Sequence, residues 1–309
     1  MSAQRWSLIA ALLTMVVWGM NFAFVKYLLD TIGIGPFLFI RFLTMPVLAF
    51  VLLALVFRRQ IVRTWPKRED LPRFIACGLI GHALHVGIVF WGISLSTAFS
   101  SALVLTSAPL FTLAILVLLG AERLRASQVA GTLVAMAGIA VFLSDKFQRG
   151  VTHAGLGDLV LLVAAAFFSL YTVLARPLVE RYGPLIVLAY TLLFGAPLMV
   201  LISAPSMLAA DLGRLSPMVW LGLFWAIVLS SVGGWLVWAW VNHVRGIARS
   251  APLMYLPPPI AGVVAWLTLG EHFTLMKIAG AAVAMAGIAW AQFGGGRPQP
   301  REAAQADSG

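Results

Sequence analysis

The amino-acid sequence predicts an all-α integral membrane protein, in which ten transmembrane helices form two inverted five-helix repeats around a central cavity. Three observations support this fold class. Hydrophobic residues make up 61% of the 309 residues and charged residues only 10%, whereas soluble domains carry about 25% charged residues. Ten stretches stay apolar for about 20 residues, the length that crosses a bilayer as a helix. One of these stretches occurs again, almost letter for letter, in the second half of the chain.

This repeat divides the chain into two copies of one unit. Residues 130–140 read AGTLVAMAGIA and residues 279–289 read AGAAVAMAGIA, with 9 of 11 positions identical at an offset of 149 residues. An internal repeat of this kind sets the whole architecture, so we place the first unit at 1–150 and the second at 151–293. Residues 294–309 are low in complexity, and we expect a disordered cytoplasmic tail there.

The number of spans and the charges between them predict the topology. The predicted spans lie at 7–29, 35–57, 71–93, 98–119 and 126–143 in the first unit, and at 157–175, 184–203, 217–241, 246–268 and 275–293 in the second. Five spans per unit is an odd number, so the two units cross the membrane in opposite directions. With the N-terminus inside, 15 Lys and Arg fall in inside segments and 4 in outside segments, which favours two cytoplasmic termini. Inverted repeats place a substrate site near the midplane between two rocking halves, and this predicts a secondary transporter.

The composition also argues against several other classes of function. The net charge of +10 comes from Lys and Arg between apolar spans, without the basic stripe and stacking aromatics typical of nucleic-acid binding. The single cysteine, Cys77, cannot form an intrachain disulfide, and no Cys/His spacing resembles a metal site. All 11 carboxylates lie in loops, in tails or at span ends. We therefore expect no catalytic residues, no metal, no cofactor and no deeply buried acidic proton relay.

Two cations fall inside predicted spans and are candidates for substrate binding. Lys26 lies near the outer end of the first span, and Arg41 lies about six residues into the second, or about 9 Å deep. Ionisable groups within a membrane span are costly and are functional candidates by default. We expect the two to meet in one outer vestibule that holds a carboxylate or phosphate. The structural alternative is that each side chain extends its charge to the interface.

A histidine pair and a set of aromatic and amide side chains are further candidates for the walls of the site. His82 and His85 are three residues apart near the middle of the third span, so they share a helix face. They predict a proton-linked switch or polar contacts to substrate; the alternative is interhelical hydrogen bonding. The other wall candidates, for which core or interfacial positions remain the alternative, are Trp18, Asn21, Trp235, Trp238 and Tyr255.

Proline residues mark two candidate helix breaks. Pro257, Pro258 and Pro259 remove three consecutive backbone donors in the ninth span, and Pro109 stands at the place that matches Pro258 in the fourth. Broken helices are tolerated in membranes where the freed carbonyls face protein or a watery cavity. The prolines therefore predict either a hinge on a substrate path or a static kink.

Several segments resemble the EamA type of the drug/metabolite transporter superfamily. They are VVWGMNF (16–22), Arg41–Phe42, SAPLF (107–111), GAERL (120–124), Gly157–Asp158, YLPPPIAGVVAWLTLGE (255–271) and the repeated small-residue helix. The resemblance covers nearly the whole chain as two repeats. It implies ten helices in two inverted five-helix units, a bacterial inner-membrane location and the export of amino acids or other small metabolites. Where relatives often read Tyr-Leu-Glu-Pro, this chain has Pro257 in place of the acid.

The leading prediction is therefore an inner-membrane secondary transporter that exports an amino acid or a related small metabolite by alternating access. A passive facilitator or channel in the same fold remains open, because no acid lies within the membrane to couple transport to protons. A membrane enzyme acting on lipid is a third reading, against which stands the lack of a paired acidic motif. The expected partners are a small-molecule metabolite and the lipid bilayer, and the small-residue helices also permit a homodimer.

Overall fold

The structure is a computed structural model that describes residues 3–58, 65–120, 125–147, 153–211, 213, 215–245 and 250–293. Within these ranges the chain is helical and contains no β-strand. The predicted tail and the predicted boundary between the two units lie outside the described residues.

Thirteen α-helices are present among the described residues. In the first unit they are α1 (Ala3–Ile32), α2 (Ile34–Phe57), α3 (Leu71–Cys77), α4 (Val86–Leu95), α5 (Ala98–Leu105), α6 (Ala108–Leu118) and α7 (Ala126–Phe147). In the second they are α8 (His153–Tyr182), α9 (Pro184–Leu208), α10 (Pro217–Leu223), α11 (Gly234–Arg245), α12 (Pro257–Leu269) and α13 (Leu275–Phe293). Short 3-10 turns at Arg68–Asp70 and Ala251–Tyr255 precede α3 and α12.

The described helices confirm the membrane class. Nine helical stretches are long and apolar enough to cross a bilayer, and a tenth apolar stretch, Leu253–Leu269, is shorter. Large apolar side chains are widely exposed on the outer surface, for example Leu55 at 64%, Leu201 at 72% and Ile202 at 63%. Exposed apolar surface on this scale requires a nonaqueous neighbour, and the acyl chains of a bilayer supply it.

The first two helices of each unit are built alike. Helices α1 and α8 each contain 30 residues, and each is followed at once by a glycine and the next helix. Gly33 has a φ of 81° and Gly183 a φ of 79°. Only glycine adopts this backbone region without a steric penalty, so the same sharp turn joins α1 to α2 and α8 to α9.

The two repeated small-residue helices, α7 and α13, lie against each other. A Cβ atom on Gly138 would overlap the backbone of Ala284, and one on Gly131 would overlap the backbone of Ala291. Residue numbers rise along one helix as they fall along the other, so the pair is antiparallel. Small residues allow backbones to approach this closely within a membrane. The repeated stretch therefore joins the two halves of one chain.

A second pair of corresponding helices, α2 and α9, is also antiparallel. Gly35 at the start of α2 lies against Ser206 near the end of α9. Farther along, the rings of Phe50 and Tyr190 are 5.4 Å apart. Opposite directions of corresponding helices are what inverted units require.

The fourth predicted span, 98–119, is interrupted next to Pro109, one of the candidate helix breaks. Helix α5 ends at Leu105, and α6 starts at Ala108 with Pro109 in its first turn. Proline fits there because the first N–H groups of a helix have no partner within it. Pro257 likewise opens α12 after the 3-10 turn. In both units the prolines begin a new helical segment.

Each interruption lies against the first helix of the other unit. A Cβ on Gly19 of α1 would come within 3.0 Å of the Pro257 carbonyl oxygen. At the corresponding place, Ser169 of α8 donates a hydrogen bond of 2.6 Å to the Ala108 carbonyl. The start of each broken helix is thus held across the boundary between the two units.

The third span of each unit contains a wide π-helical turn that the sequence did not predict. These turns are Gly78–His85, between α3 and α4, and Phe224–Gly233, between α10 and α11. π-Helical turns are rare and often occur at functional sites. Both contribute side chains to the central cavity described below.

We expect Gly138→Val to destabilise the protein, because the added side chain would force α7 away from α13. Overfilling a well-packed contact costs about 1–3 kcal/mol, which should lower the midpoint of thermal unfolding in detergent by several degrees. The matched control is Ala137→Val, which adds bulk at an exposed position of the same helix. Equal midpoints for the two variants would show that this contact does not hold the halves together.

Candidate functional site

A polar cavity of about 440 Å³ lies in the middle of the helix bundle. Its volume is within the range of about 300–1,000 Å³ that small-molecule sites occupy. The lining residues come from both units and are Trp18, Asn21, Arg41, Phe42, Met45, Gly81, His82, His85, Val86, Phe168, Tyr171, Leu188, Leu192, Ser230, Ser231 and Trp235. A depression of about 520 Å³ between α2 and α10 is lined almost entirely by apolar side chains, several of them exposed, so it offers little to recognise a polar molecule.

Arg41 supplies the positive charge of the cavity. Its Nη1 donates to Ser231 Oγ at 3.0 Å and lies 3.5 Å from the Ala226 carbonyl, both in the second π-helical turn. The guanidinium carbon is 5.2 Å from the centre of the Phe90 ring, a favourable cation–π distance. Among the described residues no carboxylate forms an ion pair with Arg41. A guanidinium has five N–H donors, so most of its donors remain available.

His82 and His85 point from the first π-helical turn, and each ring is held by one hydrogen bond. His82 Nε2 lies 3.0 Å from Thr191 Oγ1, whose own proton goes to the Val187 carbonyl at 2.7 Å. His82 Nε2 is therefore the donor of its pair. His85 Nδ1 lies 2.9 Å from the Ala164 carbonyl oxygen, which can only accept. A neutral histidine has one donor and one acceptor nitrogen, so His82 Nδ1 and His85 Nε2 are left as acceptors.

Trp18, Trp235 and Asn21 form another part of the wall. Trp18 donates its indole N–H to the Ser230 carbonyl at 2.9 Å, which ties α1 to the second π-helical turn. Asn21 follows one turn later on the same face of α1. Its side-chain oxygen, Oδ1, is buried and has no hydrogen-bond partner in the described part of the chain.

Three of the predicted substrate-binding residues lie outside the cavity lining. Lys26 is held by Asp30 at 3.0 Å and by the Ser94 carbonyl at 2.9 Å, so it does not share a vestibule with Arg41. The Trp238 ring is 5.7 Å from the ring of Trp18, so Trp238 packs against a lining residue without lining the cavity itself.

Tyr255 is the third of these residues. Its hydroxyl donates to Gln292, and its ring is 6.2 Å from that of Phe293. It therefore joins the 3-10 turn before α12 to the end of α13.

Other lining residues were missed at the level of sequence. Ser230 and Ser231 are adjacent hydroxyl residues in an otherwise apolar span, closely followed by two glycines, and this local change in polarity was the available signal. Phe168 and Tyr171 come from α8, and the Phe168 ring is 5.2 Å from that of His85. Aromatic residues are so common in membrane helices that their position could not be read from the sequence.

An ionic cluster lies at the end of the bundle where α3 begins and α8 ends. Arg181 Nη1 is 2.6 Å from Asp70 Oδ2 and 3.0 Å from Glu69 Oε1. The Tyr182 hydroxyl donates to the same Asp70 oxygen at 2.5 Å and accepts from the Lys67 backbone N–H at 3.0 Å. This cluster, which we call the ionic latch, connects the first unit to the second.

At the opposite end, the corresponding contact is weaker. Ser216 precedes α10 as Asp70 precedes α3, and its hydroxyl lies 3.5 Å from the hydroxyl of Tyr27 on α1. No ion pair between described residues joins α1 to α10. At these two corresponding places, the contacts between the units are therefore of unequal strength.

The arrangement is suited to binding a small polar molecule. Among the described residues, the cavity lining has one permanent cation, several neutral hydrogen-bonding groups, an aromatic wall and no carboxylate. Within the described residues no group of three His, Cys, Asp or Glu side chains is arranged to hold a metal. A buried cation without an ionic partner favours an anionic group of a bound molecule as that partner.

Comparisons with known proteins assign the chain to a family. It matches the EamA-like transporter family over residues 5–144 and 155–292. It is 30% identical over 93% of its length to a "probable terminal-alkyne amino-acid exporter" from Streptantibioticus cattleyicolor, 93% of which is covered. It is 25% identical to a "probable amino-acid metabolite efflux pump" from Salmonella typhimurium, with 92% of this chain and 94% of that protein covered.

A solved crystal structure shows the same fold. It has a TM-score of 0.61 and 21% identity, and the match covers 96% of this chain and 100% of the other. The family match spans both halves of the chain and confirms the resemblance inferred from the sequence motifs. The protein belongs to the EamA-like transporter family.

Proposed function

We propose that this protein is a secondary transporter of the bacterial inner membrane that exports amino acids or related small metabolites by alternating access. The names of two relatives support this cargo, since one is called an amino-acid exporter and the other an amino-acid metabolite efflux pump. The matched family is a transporter family, and this makes the lipid-enzyme reading the least supported.

Arg41 carries the proposal at the level of the site. A charged side chain within a membrane span requires a partner, and the described residues offer Arg41 only neutral ones. A substrate carboxylate would accept two parallel N–H bonds from the guanidinium, which is the strongest geometry available to such a pair. His82, His85, Trp18, Asn21 and Trp235 complete the proposed binding wall.

Alternating access requires two closures that open in turn, and the ionic latch is our candidate for one of them. The excess of positive charge in loops supports a cytoplasmic position for the start of α3 and the end of α8, together with both termini. The stronger contacts of the latch then support a state closed on the cytoplasmic side. We propose the two units, 1–150 and 151–293, as the rocking bodies and the helix starts at Pro109 and Pro257–Pro259 as hinges.

A passive facilitator is the second candidate. One observation favours it over proton antiport, namely that none of the described residues that line the cavity is a carboxylate able to carry a proton. In proteoliposomes, equal rates of cargo release with and without a proton gradient would support the facilitator.

We expect Arg41→Gln to reduce amino-acid transport at least about tenfold, because it removes charge-assisted hydrogen bonds to the carboxylate. Arg41→Lys should retain part of the activity, since it keeps the charge but loses the planar fork. The measurement is counterflow of radiolabelled L-leucine and L-phenylalanine in proteoliposomes, with the size-exclusion profile as a check on folding.

The matched control for Arg41 is Lys26→Gln. It removes a cation from the neighbouring span, but one that already has Asp30 and Ser94 as partners outside the cavity. We expect it to keep most of the activity. Equal losses in Arg41→Gln and Lys26→Gln, or no loss in either, would contradict the assignment of the carboxylate to Arg41.

We expect Asp70→Asn to expose the cytoplasmic path, and Cys77 offers a native reporter. This thiol is fully buried and lies four residues before Gly81 of the cavity wall, so it stands on the same helix face nearer the latch. Weakening the latch should raise its labelling rate by a membrane-impermeant thiol reagent, applied from the cytoplasmic side, by about two- to fivefold.

Glu180→Gln is the control for the latch variant. It breaks the ion pair of Arg176 and Glu180, which has a length of 2.9 Å and lies within α8 only. Labelling of Cys77 should stay at the wild-type rate. If Asp70→Asn also left the rate unchanged, the latch would not be the cytoplasmic closure.

A further inference from the structure

We infer that the cavity recognises the amino group of its cargo through uncharged acceptors, chiefly the Asn21 side-chain oxygen together with Nε2 of His85. The site would thereby select α-amino acids over other small carboxylates. The inference rests on the proposed function, because it takes Arg41 as the partner of the carboxylate.

Asn21 carries this inference because its oxygen lacks a partner. Oδ1 is buried and makes no hydrogen bond to any described residue, although the side chain lines the cavity. Leaving a buried acceptor unsatisfied costs free energy, and buried polar atoms are otherwise almost always paired. The oxygen has almost no accessible surface in this conformation, so a donor that arrives with the ligand would bind it once the amide group turns the oxygen toward the cavity.

His85 supplies a second acceptor of the same kind. Its Nδ1 donates to the Ala164 carbonyl at 2.9 Å, so the neutral ring has Nε2 as an acceptor. The ring lines the same cavity as Asn21 but comes from the first π-helical turn, Gly78–His85. A protonated amine with three N–H donors can use more than one acceptor at once.

The lack of a carboxylate among the described lining residues gives this arrangement its selectivity. An amine without a carboxylate would meet the unneutralised charge of Arg41 and no opposite charge, and would be repelled. A carboxylic acid without an amine would satisfy Arg41 and leave Asn21 unpaired. Only a molecule that has both a carboxylate and an amino group provides partners for Arg41 and Asn21 at once. A site built to hydrogen-bond a group rejects analogues that lack that group.

The test compares L-phenylalanine with 3-phenylpropanoate, which lacks only the amino group. Asn21→Leu keeps the size of the side chain but removes its acceptor. We expect it to weaken L-phenylalanine binding about 10- to 100-fold and to leave 3-phenylpropanoate binding within about twofold of wild type. Asn21→Asp keeps an acceptor at the same position and should retain the preference for L-phenylalanine. An equal loss for both ligands in Asn21→Leu would overturn the inference.

A wild-type measurement keeps the test decisive if Asn21→Leu fails to fold. N,N,N-trimethyl-L-phenylalanine keeps both charges but has no N–H donor, so we expect it to bind at least about tenfold more weakly than L-phenylalanine. Equal binding would mean that the aromatic wall attracts the cation without hydrogen bonds, and would overturn the role of Asn21. If wild-type protein bound neither L-phenylalanine nor 3-phenylpropanoate, this result would contradict the proposed function itself.

Discussion

A charge held inside a bilayer needs polar partners, and among the described residues those of Arg41 lie in the second π-helical turn. Its Nη1 contacts Ser231 and the carbonyl of Ala226, and its guanidinium lies over Phe90. The carbonyl and the hydroxyl are placed there by a π-helical turn, which opens the backbone where a regular helix would not. Irregular backbone of this kind is tolerated within a membrane where it lines a cavity. The wide turn therefore supplies the polar partners of Arg41 and also forms part of the cavity wall.

The two units surround this cavity through contacts of different character. Helices α7 and α13 approach so closely that a single methyl group on Gly138 would overlap the partner backbone. This contact is apolar and dry, and it suits a permanent connection between the halves. The ionic latch lies at the end of the bundle, where side chains reach water and an ion pair contributes little free energy. Contacts that open and close during transport are expected to be of this weak kind.

Much of the fold could be predicted from the sequence, because the membrane imposes simple rules on length and charge. The span lengths and the repeat at offset 149 were sufficient for the helical class. The sequence marked Pro109 as a candidate break but left a hinge and a static kink open, because proline fits the first turn of a new helix as readily as it kinks a continuous one. The π-helical turns carry no periodic signal that distinguishes them from regular helix.

The candidate site was predictable in part. Arg41, His82 and His85 stood out because charged or titratable residues are rare within spans, and all three line the cavity. Lys26 stood out for the same reason, but Asp30 lies one helical turn away and provides its partner. The sequence could not show that Trp238 and Tyr255 lie outside the cavity lining. The face that a helix turns inward depends on neighbours distant in sequence, here Trp18 and Gln292.

The most direct test of the account is a comparison of L-phenylalanine with L-phenylalaninamide as ligands of the purified wild-type protein. The amide keeps the ring and the amino group and replaces only the carboxylate, so calorimetric titration isolates the group assigned to Arg41. The account predicts binding of the amino acid and at least about tenfold weaker binding of the amide. Equal binding of the two would contradict it, because the charge of Arg41 would then contribute nothing to recognition of the cargo.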